Sequence, residues 1–398
     1  VVDAVLVDVV RTASGRGKPG GALSGVHPAE LLAGVIRAVV ERNGLDGSEV
    51  DDVIAGCVSQ CGDQAMNVAR TAALAAGLPE QVPATTVDRQ CGSSQQAVHF
   101  AAQGVLAGAY DVAIACGVES MSRVPMGSAN AGGDPLAPLA GRYPDGLVGQ
   151  GVSAELIAAR WKLSRSQLDE YAAASHERAA RATATGGFSR EIVPVDVTDA
   201  TGAVRAHTVD ETIRAGTTAQ KLAGLPPAFH TAALAARYPE LGWQITPGNS
   251  SPLTDGASAA LIMSAERART LGLTPRARFR GFAVTGSDPL LMLTGVIPAT
   301  ERVLRRAGLS IDDIDAFEVN EAFAPVPLVW AREFNVDAAR LNPRGGAIAL
   351  GHPLGGSGTR LLATLLHHLE DTGGRFGLQT MCEGGGMANA TIIERIDR

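Results

Sequence analysis

The sequence has few cysteines, no surplus of basic residues and no long unbroken apolar run. Five cysteines in 398 residues do not make a disulfide framework. The odd count, with no secretory segment in view, fits a reducing compartment, and the cytoplasm is the expected location. A formal net charge of -7 argues against a broad nucleic-acid surface, while leaving room for a local basic patch that holds phosphates. The N-terminal "VVDAVLVDVVRT" is apolar but carries Asp3 and Asp8, so it reads as a buried strand rather than the core of a signal segment. The longest apolar stretch, "AVHFAAQGVLAGAYDVAIACGV", is broken by Gln103, Gly108 and Asp111. It predicts helix–turn–strand and no membrane span. The 47 glycines show no period, which excludes a collagen-like chain.

What is present suits a folded protein: 45% apolar and 19% charged residues, on a chain long enough for two or three domains. Strand-like and helix-like segments alternate from the start, with "AVLVDVV", "PAELLAGVIRAVVERNG", "VDDVIAGCVSQ", "QAMNVARTAALAAG" and "ATTVDR" in succession. That alternation predicts an α/β fold. The second half repeats the first. "PAELLAGVIRAVVERNGLDGSEVDDVIAGCV" parallels "IPATERVLRRAGLSIDDIDAFEVN", each a helix ending in a basic run and "GL", then an acidic turn and an apolar strand. "CGSSQQAVHFAAQGVLAG" parallels "LGHPLGGSGTRLLATLLHHLE". Two copies imply paired half-domains. Between them, from about Ser120 to Ser251, lies a region of glycine- and proline-rich turns and one charged helix, an insertion able to cover a ligand.

Four short stretches could carry chemistry: "DRQCGSSQQA", "EVNEAFAPV", "GGAIALGHPLGGSG" and "TMCEGGGMANA". Cys91 stands where a strand gives way to a helix, so the helix N-terminus would favour its thiolate. The neighbouring glycine and serines leave room for a substrate carbonyl and for N–H donors. The alternative is a small buried space-filler. His352, in a tight glycine loop, could deprotonate a thiol or simply hold a turn. Cys382 could move protons near Cys91 or close a glycine hairpin. Asn320, closing an apolar strand, could hold a water or a carbonyl oxygen, or cap a turn. Glu321 reads as a loop support, because no second carboxylate is paired with it. His367 and His368 read as ordinary helix-end residues. Cys57 and Cys61 form a C-x3-C pair without a second ligand pair, which favours packing over zinc. "GHPLGGSGTR" lacks the lysine and hydroxyl of a phosphate-binding P-loop.

Together "CGSS", "NEAF", "GHP" and "CEGGG" resemble the four signature loops of the thiolases, in the same order. "VRTASGRGKPGGALS", "CGVESMSRVPM", "GQGVSAELIAARWKLSR" and "PGNSSPLTDGASA" extend the resemblance along nearly the whole chain. The resemblance implies a five-layer αβαβα fold of two duplicated α/β halves with an inserted loop domain. The expected boundaries are 1–120 with about 252–272 for the first half, 121–251 for the insertion and 273–398 for the second half. It implies CoA-dependent cleavage of a 3-ketoacyl-CoA to acetyl-CoA or propionyl-CoA and a shortened acyl-CoA, reversible as a Claisen condensation. Cys91 would be the acyl-accepting nucleophile, His352 its activator and Cys382 the acid/base. Asn320 would hold a water in one oxyanion hole, and the backbone N–H groups of Cys91 and Gly384 would form the other. Ser251 and Phe323 would contact the pantetheine arm. CoA would be a substrate, no cofactor or metal would be resident, and the assembly would be a homodimer or homotetramer.

Some positions depart from the family. Gly149 and Gln150 stand where short-chain biosynthetic thiolases carry histidine and methionine, which resembles the degradative members. Pro226 replaces a basic residue beside the CoA adenine, an unusual "HTAALAARYPELGWQ" follows it, and further on Pro252 replaces a glycine. "TTVDRQCGSSQQA" and "IACGVESMSR" resemble actinobacterial thiolases of steroid side-chain breakdown. The competing expectations are an acetoacetyl-CoA-forming acetyltransferase, another condensing enzyme of the superfamily, and a non-catalytic acyl-CoA- or lipid-binding homologue. The second cysteine in "CEGGG" argues against the ketoacyl synthases, and retention of all four signature residues argues against a binding protein.

Overall fold

The structure, a computed structural model, describes residues 3–198 and 201–397. Val1, Val2 and Arg398, at the ends of the expected halves, and Asp199 and Ala200 of the expected insertion lie outside the described residues. The first half runs β1 (Ala4–Thr12), α1 (Pro28–Glu41), β2 (Asp52–Gly56), α2 (Val68–Ala75), β3 (Ala84–Val87), α3 (Ser93–Leu106) and β4 (Val112–Ser120). The insertion contributes α4 (Gln150–Arg160), α5 (Arg165–Ala184) and α6 (Ala232–Arg237), with a small hairpin of Val195–Thr198 and Val204–His207. The chain returns to the first half as β5 (Thr254–Ser264). The second half follows as β6 (Ala277–Gly286), α7 (Val296–Ala307), β7 (Ala316–Val319), α8 (Pro325–Phe334), α9 (Ser357–Thr372), β8 (Phe376–Glu383) and β9 (Met387–Arg395).

Local sequence explains these elements. In α1, Pro28 stands in the first turn, His27 caps Ala29 N–H, and Leu31, Leu32, Val35, Ile36 and Val39 form one buried face. All nine residues of β1 are buried, as expected of a strand covered on both faces. Of the two charges inside it, Asp8 is met by Arg276 at 2.8 Å and Arg42 at 3.3 Å, and Arg11 by Glu191 at 2.6 Å and Asp210 at 2.7 Å.

The strands form one continuous sheet in the order β7-β8-β9-β6-β1-β5-β4-β2-β3. In the first half β2 runs parallel to β4, β4 antiparallel to β5, and β5 antiparallel to β1. In the second, β7 runs parallel to β8, β8 antiparallel to β9, and β9 antiparallel to β6. The duplication read in the sequence is therefore a duplication of topology. The halves meet at a short β1–β6 seam, registered at Val5↔Arg278 and Leu6↔Ala277.

Three apolar clusters separate the layers. One packs α1 and α2 on the outer face of the first half. Another packs α7 and α8 on the outer face of the second, joined by Ala154, Ile157, Leu168 and Ala172 of the insertion. The third lies between the halves, where α3 and α9 are enclosed by strand residues of both. The five-layer α/β expectation holds. The two central helices cross closely: a Cβ on Gly358 would lie 2.1 Å from Gln95 N. Gly358→Ala must push α3 and α9 apart. A loss of roughly 3 kcal/mol or more is expected, read as a lowered thermal midpoint. No helix among the described residues is long and apolar enough to cross a membrane.

Candidate active site

The central crossing brings the N-termini of α3 and α9 together, and the four sequence motifs gather around it. Cys91 sits between β3 and α3 and is 2% exposed. Gln90 before it holds φ 49°, with its N–H donated to Asp88 Oδ1 at 2.6 Å. A non-glycine residue in that region carries strain, which here presents the thiol at the helix start. Met381 and Leu361 pack against the sulfur. Gln150 Nε2, at the start of α4, lies 4.0 Å from Sγ. Burial pushes the Cys91 thiol up to about 12; the Gln150 amide and the N–H groups of Cys91 and Gly384 pull it down, and Glu383 adds to the rise. Those two N–H groups therefore bear on the same sulfur.

His352 is buried in the loop before α9 and donates its backbone N–H to Thr254 Oγ1 at 2.9 Å. The Ser357 hydroxyl donates to Pro353 O at 2.8 Å, so it accepts from His352 Nδ1 at 2.6 Å. That assigns the hydrogen to Nδ1 and leaves Nε2 as the basic nitrogen, 3.4 Å from Asn320 Nδ2. Burial, helped by Arg360, lowers the imidazole to about 3, so it is neutral at working pH. Asn320 closes β7, with its N–H on Thr380 O at 3.1 Å and its buried Oδ1 without a donor among the described residues. Cys382, near the end of β8, is fully buried; burial first, and then the Cys91 charge, push its thiol well up. Gly384 follows in the turn to β9.

Two buried glutamates hold these loops in place. Glu321 accepts from Tyr171 Oη at 2.9 Å, Asn342 Nδ2 at 3.0 Å, Ser175 Oγ at 2.7 Å and Ile348 N at 3.1 Å. It is the loop support expected of it. Glu119 accepts from Val58 N and Ser59 N at 3.0 Å, Gln64 Nε2 at 2.8 Å and Gly355 N at 2.9 Å. It ties the first half to the His352 loop. Carboxylates satisfied this fully act as struts.

Sequence reasoning missed Gln150 as a sulfur neighbour, Ser357 as the partner of His352, and Glu119. The Ser357 role was readable, five residues beyond His352 in one glycine loop; the Glu119 role depends on tertiary contacts. It also missed Glu383, a fully buried carboxyl whose oxygens have no hydrogen-bond partner among the described residues. Gly92 makes space for it: a Cβ there would lie 2.1 Å from Glu383 Oε1. Burial pushes Glu383 up to about 8, with Arg89 opposing and Asp88 adding. A carboxyl raised in the folded state loses stability as pH climbs from the unfolded value to about 8. Glu383→Gln mimics the protonated form. Its stability should gain on the wild type from pH 5 to pH 8, by up to about 4 kcal/mol, read as a growing difference in thermal midpoint that levels off above. A pH-independent difference would count against a protonated Glu383.

Ser251 and Phe323 are neighbours. Ser251 donates both its N–H (3.0 Å) and its hydroxyl (3.1 Å) to Ala322 O, and Phe323 meets Phe229 edge-on at 5.9 Å. Cys57 is buried in the first-half core, and Cys61 is half-buried. His367 departs from its expected helix-end role. It lies within α9, buried, with Nδ1 2.8 Å from Ala363 O and 3.6 Å from Glu191 Oε2, because α9 continues to Thr372.

The site thus combines a thiol at a helix N-terminus, two N–H groups beside it, a neutral imidazole of fixed tautomer and a second thiol. Burial disfavours every charged form at rest, so charge develops only when a substrate oxygen meets the donors.

The description "Thiolase, N-terminal domain" matches residues 4–266, and "Thiolase, C-terminal domain" matches residues 273–395. A steroid 3-ketoacyl-CoA thiolase of Mycobacterium tuberculosis is 47% identical over 405 residues, spanning 100% of this chain and 95% of its own. A 3-ketoacyl-CoA thiolase of Serratia proteamaculans is 46% identical over 396 residues, spanning 98% of this chain and 99% of its own. The crystal structure of the Bacillus anthracis acetyl-CoA acetyltransferase superposes with a TM-score of 0.89 at 35% identity, covering 99% of each chain.

Proposed function

This chain belongs to the thiolase family, and from that premise we propose that it is an acyltransferase cleaving 3-ketoacyl-CoA with free CoA through an acyl group on Cys91. The observation that carries the mechanism is the buried Cys91 thiol at the start of α3, 4.0 Å from Gln150 Nε2, together with His352, whose Nε2 stands 3.4 Å from Asn320 Nδ2.

The chemistry follows from these groups. His352 Nε2 takes the Cys91 proton as the sulfur attacks the 3-keto carbon, and the new alkoxide sits between the two N–H groups. The C2–C3 bond breaks and the departing enolate takes a proton from Cys382. His352, now cationic, and an Asn320-held water face the enolate oxygen. The thiol of the incoming CoA gives its proton to the Cys382 thiolate and attacks the acyl thioester. Cys91 leaves as thiolate and recovers its proton from His352. The steps balance without a metal or redox cofactor, and CoA enters only as substrate.

Ser251 and Phe323 are assigned to the pantetheine wall. The division at 1–120 with 252–272, 121–251 and 273–398, a homodimeric or homotetrameric assembly and a cytoplasmic location complete the reading. The steroid thiolase among the relatives supports a bulky acyl chain. A CoA-dependent thiolysis assay over 3-ketoacyl-CoAs of graded length and bulk tests the reading. Cleavage of one or more chains is expected, with bulky chains preferred to acetoacetyl-CoA. No cleavage of any chain would overturn it, and acetoacetyl-CoA as sole substrate would favour the acetyltransferase alternative.

A further inference from the structure

A cleft of about 670 Å³ opens between residues 142–147, the end of α6 and Leu290. None of the candidate catalytic residues lines it, yet it lies at their door. Leu147 on its wall is three residues before Gln150, whose amide lies 4.0 Å from Cys91 Sγ. Three extended residues span at most about 10 Å. On the other side, the Leu290 carbonyl accepts from Ser153 Oγ at 2.7 Å. Its loop reaches the catalytic hairpin through Ser287 N–H, donated to Gly386 O at 2.6 Å.

The lining is chemically specific. Arg142 lies over the Tyr143 ring at 5.5 Å, and Arg237 over the Tyr238 ring at 4.9 Å. Arg237 Nη2 donates to Gly146 O at 2.8 Å, which braces α6 against the facing segment. Among the described residues neither arginine has a carboxylate partner, and Asp145, the acidic residue of the lining, pairs with neither. Tyr238 is 9% exposed and its hydroxyl oxygen is buried, so it meets the cleft through its ring. Leu147, Pro144 and Leu290 supply an apolar floor for a carbon chain.

Two guanidinium groups without carboxylate partners on one cleft wall suit an oxyanion. Resting on the thiolase reading above, we propose that this cleft is a subsite for an oxyanion of the bound acyl-CoA, gripped by Arg142 and Arg237. Two groups on such a molecule carry that chemistry. One is a phosphate of CoA; the other is a carboxylate at the far end of the acyl chain.

The test uses the double variant Arg142→Gln with Arg237→Gln. Thiolysis is measured with two 3-ketoacyl-CoAs of equal length, one ending in methyl and one in carboxylate. If a carboxylate is held, the kcat/KM ratio of charged to uncharged chain falls about tenfold in the double variant. If a phosphate is held, KM for CoA rises about tenfold with both chains and the ratio stays. Both quantities within twofold of wild type would overturn the subsite. Should wild type cleave neither of these nor any chain of the graded series, the thiolase reading fails by itself. Equilibrium binding of CoA and the two acyl-CoAs in a Cys91→Ala background then decides the cleft: weaker binding in the double variant supports it, and unchanged dissociation constants overturn it.

Discussion

Cys91→Ala is expected to lower thiolysis turnover at least about ten-thousand-fold, because no other group can carry the acyl chain between the two thiols. The structure gives the substitution little else to disturb. The Cβ stays, and only a sulfur packed against Leu361 and Met381 is lost, for a stability change of roughly 1 kcal/mol. Mass measurement of enzyme mixed with 3-ketoacyl-CoA, without free CoA, separates the chemistry from the fold. Wild type should gain the mass of the shortened acyl group, and the variant should gain nothing. An acylated Cys91→Ala, or turnover within tenfold of wild type, would sink Cys91 as nucleophile.

Cys382→Ala should split the reaction into unequal parts. Breaking C2–C3 expels a carbon leaving group, which needs a proton from a positioned acid. Moving an acyl group from an acyl-CoA onto Cys91 expels a thiolate, a far better leaving group. Carbon–carbon cleavage should therefore fall about a thousand-fold or more, while acylation of Cys91 by a simple acyl-CoA falls much less. Single-turnover measurements of the two half-reactions read the split directly. Equal losses would mean that Cys382 shapes the pocket rather than supplying the proton. The His352 loop predicts no such asymmetry, since its imidazole serves attack and enolate alike.

Much of this was legible before any coordinates. The alternation of strand and helix, and the paired stretches ending in "DDVIAGCV" and "DDIDAFEV", already described two α/β halves, because local periodicity records which faces are buried. The small-residue loops at Cys91, Asn320, His352 and Cys382 marked themselves by their surroundings. The support beneath them was less visible. Glu119 resembles any other glutamate in sequence, and its role depends on donors brought from distant segments, Gln64 and Gly355; Glu321 was readable as a support, but its donors Tyr171, Ser175 and Ile348 were not. His367 misled for a related reason. Its polar neighbours suggest a helix end, while burial against Glu191 is fixed by tertiary packing.

The position of β1 has a consequence for how the chain is made. Its neighbours in the strand order are β5 and β6, whose residues begin at Thr254 and Ala277, and its last two residues also pair with Ile192 and Val193. On a ribosome adding roughly 5–20 residues per second, the strand "AVLVDVVRT" waits on the order of tens of seconds for β5 to be translated. Throughout that time most of both its edges stay open, while β2, β3 and β4 can already pair among themselves. A strand translated early is thus enclosed late, and nascent chains halted before Thr254 should depend on chaperones in a way that the released protein does not.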